Sequence, residues 1–111
     1  MSQDWIRVAA LADIAGGQML AVDVAGEPVA IYNVGGDEVC ATHNICTHET
    51  ACLTQGWLDG CIVECPLHGG QFNVRTGEGM GPPIECDLSV YPVRVKDGEI
   101  FIDAASVKAA L

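Results

Sequence analysis

The stretch CTHETACLTQGWLDGCIVECPLHGG, residues 46–70, decides how the chain is read. It opens on Cys46-Thr47-His48 and closes on Cys65-Pro66-Leu67-His68-Gly69-Gly70, so two short segments each offer one thiol and one imidazole. Sixteen residues lie between His48 and Cys65, with Asp59-Gly60 near their middle. Asp-Gly accepts the positive φ of a tight hairpin turn, so residues 57–64 are expected to fold back and return the second segment to the first. Two Cys and two His then converge, a donor set that suits zinc or an iron–sulfur cluster. A zinc site normally draws its Cys pair from one element and its His pair from another. Here each segment mixes the two types, which makes sense for two metals. If one iron takes both thiolates and the other both imidazoles, as in 2Fe–2S clusters where two His replace two Cys, each loop must supply one ligand to each iron. Cys46, His48, Cys65 and His68 are therefore the expected ligands. Structural zinc, or a non-redox binding module at the same four residues, is the alternative.

Outward from this stretch the chain consists mostly of short runs rich in Val and Ile. Residues 19–24, 29–34, 39–42, 61–64, 71–74, 90–95 and 99–103 are each strand-length and bounded by turn residues. Gly35-Gly36-Asp37, Asp59-Gly60, Thr76-Gly77 and Asp97-Gly98 supply the turns. Short strands at even spacing predict an all-β antiparallel sandwich or small barrel, with a brief helix over 104–111. Residues 77–83 read as a rigid, glycine-spaced loop. They are not a dinucleotide fingerprint, because Pro82 stands where the last glycine would be.

Length and charge set the outer limits. A chain of 111 residues is expected to be one domain, 1–111. Fifteen Asp and Glu against five Lys and Arg give a net charge of -10, which argues against nucleic acid and anionic membranes and favours partners with basic patches. At 50% hydrophobic the composition excludes disorder. The longest apolar run, 8–12, is too short to span a bilayer, and residues 1–17 show neither a basic n-region nor an apolar h-region. A cytoplasmic location is the expectation. Six cysteines, at 40, 46, 52, 61, 65 and 86, invite a disulfide framework, but that reading belongs to secreted chains. No C-x2-C occurs, which removes the thioredoxin-like motif and most zinc ribbons.

C-x-H, a spacer near sixteen, then C-x2-H-G resembles the Rieske signature, and the resemblance covers nearly the whole chain. The opening Trp5-Ile6 and the segment Phe72-Asn73-Val74-Arg75-Thr76-Gly77 are similar to the small ferredoxins of bacterial naphthalene and biphenyl dioxygenase systems. The resemblance implies a Rieske fold: three small antiparallel sheets, with one 2Fe–2S cluster at a tip between two hairpin loops. It also implies a one-electron carrier rather than an enzyme, working between an NAD(P)H-dependent flavoprotein reductase and a terminal oxygenase. A monomer is expected. A Rieske subunit of another oxidoreductase, such as a nitrite reductase, is the runner-up. Respiratory Rieske proteins carry an extra Cys in each loop; here Leu67 and Ala51 stand at those places, so no loop disulfide is expected. They also place a Ser and a Tyr hydroxyl near the cluster, where this chain has Gly70 and Phe72.

The remaining candidates are read blandly. Cys40, Cys61 and Cys86 are expected to be buried and unreactive, Cys52 an exposed thiol, and His43 a surface-loop residue. Trp57 and Tyr91 are expected in the core, Leu67 and Met80 beside the cluster, and Arg75 paired with a local carboxylate. Between 46 and 87, Glu49, Asp59, Glu64, Glu78, Glu85 and Asp87 oppose only Arg75, which predicts an acidic tip that steers a basic partner.

Overall fold

The computed structural model describes residues 3–47, 51–67, 69–81 and 86–110. Among the described residues ten strands and one α-helix, besides two single 3-10 turns, follow in order: β1 (Trp5–Ala10), β2 (Met19–Val24), β3 (Glu27–Gly35), β4 (Glu38–His43), β5 (Trp57–Asp59), β6 (Ile62–Glu64), β7 (Gln71–Asn73), β8 (Val90–Tyr91), β9 (Val93–Lys96), β10 (Glu99–Asp103) and α1 (Ala104–Ala109). They make three antiparallel sheets, ordered β1-β10-β9, β2-β3-β4-β8 and β5-β6-β7. The expected all-β architecture of three small sheets is what forms.

Turn chemistry explains the pairing. Ala25-Gly26, Gly36-Asp37 and Asp97-Gly98 each link paired strands, and both residues of each have positive φ. Two positive φ values give a turn whose twist matches that of the strands it joins. In the β5–β6 hairpin Asp59 pairs with Ile62, so the loop is Gly60-Cys61, one residue later than the expected Asp59-Gly60. The helix follows from its cap: the buried Asp103 carboxylate accepts from the backbone N–H of Asp4 (2.9 Å) and of Ala105 (3.1 Å) and from Ser106 Oγ (3.0 Å). These bonds, the Asp4 amide first, hold its carboxyl below the usual range.

Strand β3 is the wall between two cores. Residues 29–33 are all buried, and their side chains alternate across the sheet. Val29 and Ile31 face a core with Ile14, Val24, Ile100, Ile102 and Val107. Ala30 and Tyr32 face a second core with Leu53, Val63, Phe72 and Val74, and this one also holds Cys46 and Cys65. A continuous buried run is what a strand covered on both faces requires.

Two expectations are corrected here, and one strand was missed. Residues 90–95 are not one strand: Tyr91 pairs with Ala41 in one sheet and Val93 with Ile102 in another. Pro92 stands between them, and without an N–H it cannot continue a ladder. Strand β1 was not foreseen, because its register shifts between Arg7 and Ala9 and the bulge breaks the alternation that marks a strand. His43 is the half-buried last residue of β4 rather than a loop residue.

Candidate metal centre

Two loops of equal length carry the predicted thiols. The first, 46–51, springs from the bridge between Ile45 and Cys52, and the Cys46 N–H donates to the Ala51 carbonyl at 2.9 Å. The second, 65–70, springs from the pair Glu64 and Gln71, and the Cys65 N–H donates to the Gly70 carbonyl at 2.7 Å. Each loop is thus closed by the same bond, from the cysteine amide to the carbonyl five residues on. Both cysteines are buried, Cys46 at 4% exposure and Cys65 at 0%, in one apolar core with Phe72 and Leu53. His48 and His68 fall at sequence positions within these loops and lie outside the described residues. Glu49 and Glu85 of the predicted acidic tip also lie outside them.

This arrangement fits an iron–sulfur cluster. Thiolates are the ligating form, and two of them in an apolar core need compensating positive charge. Cys46 and Cys65 supply two donors; among the described residues no group of three or more His, Cys, Asp or Glu gathers to hold a metal.

The frame around the loops is built from residues the sequence did not single out. Asn44, buried at 2% exposure, fastens the base of the first loop through four bonds. Its N–H donates to the Pro28 carbonyl (3.0 Å), and its carbonyl accepts from Leu53 N–H (2.7 Å). Its Oδ1 accepts from Thr54 N–H (3.0 Å), and its Nδ2 donates to Thr54 Oγ1 (3.1 Å). Gly56 lets the chain pass against the second loop: a Cβ there would strike the Glu64 carbonyl and lie 3.1 Å from Pro66 Cδ. Thr47 Oγ1 donates to the Cys86 carbonyl at 2.8 Å, tying the first loop to the chain that follows the proline segment. Neither Asn44 nor Gly56 belongs to a motif that marks it in the sequence.

Other side chains stand as follows. Leu67, within the second loop, and Met80, whose N–H donates to the Gln71 carbonyl, are exposed at 44% and 47%. Phe72 is fully buried in the cysteine core and Gly70 is buried; a phenyl ring and a glycine carry no side-chain donor. Tyr91 is buried, but Trp57, also expected in the core, is 61% exposed. Trp57 pairs with Glu64 and faces the solvent side of the β5-β6-β7 sheet, because Leu58, its neighbour, takes the inward place. Cys86 is exposed rather than buried, since it lies in a loop away from any strand; Cys40, Cys52 and Cys61 are half-buried. Burial, with the Glu38 carboxylate nearby, pushes the Cys40 thiol up, which keeps it protonated and unreactive. Arg75 pairs bidentately with Glu38 of β4, at 2.7 and 2.8 Å, not with a carboxylate nearby in sequence. That guanidinium holds the exposed Glu38 carboxyl below its usual value.

Comparison with known proteins bears directly on this geometry. Residues 4–92 match the Rieske 2Fe-2S domain. The ferredoxin component of the naphthalene 1,2-dioxygenase system of Pseudomonas putida is 42% identical over 103 residues, covering 93% of this chain and 98% of that protein. A structure described as a complex of reduced oxygenase and oxidized ferredoxin in carbazole 1,9a-dioxygenase contains a chain that is 42% identical, with a TM-score of 0.85, covering 93% of this chain and 95% of that one. The Sphingomonas yanoikuyae B1 ferredoxin gives a TM-score of 0.84 at 40% identity, covering 90% of this chain and 98% of that one. With its fold, its paired cysteine loops and these relatives in agreement, the chain belongs to the Rieske family and its cofactor is a Rieske-type 2Fe–2S cluster.

Proposed function

We propose that this protein is the ferredoxin component of an aromatic-ring-hydroxylating dioxygenase system, carrying single electrons from an NAD(P)H-dependent flavoprotein reductase to a terminal oxygenase. The observation that carries the reading is the pair of equally closed loops presenting Cys46 and Cys65 to one apolar core. Cys46 and Cys65 would hold one iron, and His48 and His68 the other. When bound, the cluster supplies reversible one-electron chemistry at its histidine-ligated iron. The chain's own residues keep water from the thiolate side through Leu53, Val63 and Phe72, all fully buried. Leu67 leaves an exposed apolar side chain on the second loop.

The named relatives are ferredoxin components, and one similar ferredoxin has been captured with its oxygenase. Both support the partner assignment. Residues 1–111 act in this reading as a single Rieske domain, monomeric and cytoplasmic; among the described residues no helix is long and apolar enough to cross a membrane. The purified protein is expected to contain two irons and two acid-labile sulfides, and to couple a flavoprotein reductase to a dioxygenase. One zinc with no sulfide would overturn this reading.

A further inference from the structure

The large exposed side chain of Trp57 is unexplained by folding. At 61% exposure it leaves most of an indole in water, although hydrophobic burial usually claims such a residue. Its surroundings are specific. Trp57, Glu64 and Gln71 lie directly opposite one another across β5, β6 and β7, so their side chains share the solvent face. Gln71 Nε2 donates to Glu64 Oε1 at 3.1 Å, which fixes the carboxylate on that face. Asp59, two residues along β5, projects to the same side and is exposed. Strands β5, β6 and β7 contain no Lys or Arg. The face is also continuous with the cysteine loop, because Glu64 immediately precedes Cys65 and Gly56 packs against Pro66.

We infer that Trp57 is the apolar anchor of the surface that docks the terminal oxygenase, and that the oxygenase meets it with an apolar recess bordered by Arg or Lys side chains. The inference rests on the electron-carrier reading and deepens it by naming the contact. An exposed tryptophan flanked by the carboxylates of Glu64 and Asp59 matches the composition of interface hot spots: a large ring for burial, with charges at the rim that select and orient the partner. The carboxylates select a basic partner surface. The ring adds short-range binding that salt does not screen. The captured complex of a similar ferredoxin with its oxygenase favours the oxygenase over the reductase as the occupant.

The test uses the holo-protein with a terminal oxygenase that it supports in steady-state turnover. Trp57→Ala should raise the KM for the ferredoxin about thirtyfold, the lower end of a hot-spot truncation, while kcat, the visible spectrum and the midpoint potential stay unchanged. Trp57→Phe should recover most of the loss. The sequence has two tryptophans, so Trp5→Phe leaves Trp57 as the single site for 5-fluorotryptophan. Its fluorine resonance should shift or broaden when unlabelled oxygenase is added. An unchanged KM, or a resonance that does not respond at oxygenase concentrations that saturate turnover, overturns the inference while the carrier reading stands. A Trp57→Ala defect confined to the reductase, or a resonance that responds to ferredoxin concentration alone, assigns the surface to the reductase or to a second copy and also overturns it. A holo-protein that supports no oxygenase turnover removes the carrier reading, and this inference with it.

Discussion

At the scale of single residues, the cluster's properties follow from which atoms face it. On the proposed ligand set, replacing His48 or His68 by Cys exchanges a neutral ligand for an anionic one, so the midpoint potential should fall while iron and sulfide are retained; protein-film voltammetry measures it. Phe72 is fully buried in the core that holds both cysteines, and Gly70 is buried too, so neither lends the cluster a hydroxyl. A donor bond to a cluster sulfur favours the reduced, more negative state. Its absence, in acidic surroundings, places the wild-type potential toward the low end of the roughly -150 to +300 mV spanned by Rieske centres. Phe72→Tyr should raise the potential by about 40 mV if the new bond is worth ~1 kcal/mol. A wild-type midpoint well above 0 mV would sink this account. Cys46 and Cys65 were legible as a pair because Cys and His at fixed spacing leave few chemistries to choose among, and the fold brings both thiols into one core. Trp57 and Cys86 were misread because side-chain type reports an average burial, while the sheet face or loop on which a residue falls decides the actual one.

At the scale of elements, the two loops hold their shape through neighbours that the ligand motif does not include. Gly56→Ala drives a Cβ into the Glu64 carbonyl, backbone that cannot yield without moving the second loop. The variant should lose about 1–3 kcal/mol of stability, the usual range for overpacking, and should release its cluster faster; chemical denaturation and the decay of visible absorbance check both. The cap on α1 gives a pH signature. The carboxyl of Asp103 is held below its ordinary value of 3.8, so its contribution to stability is fully present above that pH and is lost as pH falls through the lowered value. Melting temperatures of wild type and Asp103→Asn should therefore differ near neutrality and converge in acid. Most strands could be read from Val and Ile runs between turn residues, because β-branched side chains and positive-φ glycines are local signals. Strand β1 could not, since its bulge belongs to the pairing with β10, and pairing is not written in either strand alone. The division of 90–95 was available in Pro92, which marks a break in any ladder; which sheet takes each half is decided by tertiary packing.

At the scale of the whole molecule, charge and topology set how the protein meets others. A net charge of -10 makes encounter with a basic partner faster at low salt, so electron transfer to the oxygenase should slow as ionic strength rises, with exposed charges screened beyond ~8 Å at 0.15 M. A stopped-flow rate that ignores salt would remove the steering argument and leave the carrier role intact. The pairing of β1 with β10 has a consequence for construction. Trp5 lies opposite Asp103, and both strands contribute to the core that contains neither Cys46 nor Cys65. A flexible linker joined ahead of β1 or after α1 would therefore leave from the body of the protein rather than from its cysteine loops. Fused that way to its oxygenase, the carrier would be held at an effective concentration in the millimolar range with its electron port still uncovered, and diffusional delivery would become an intramolecular swing.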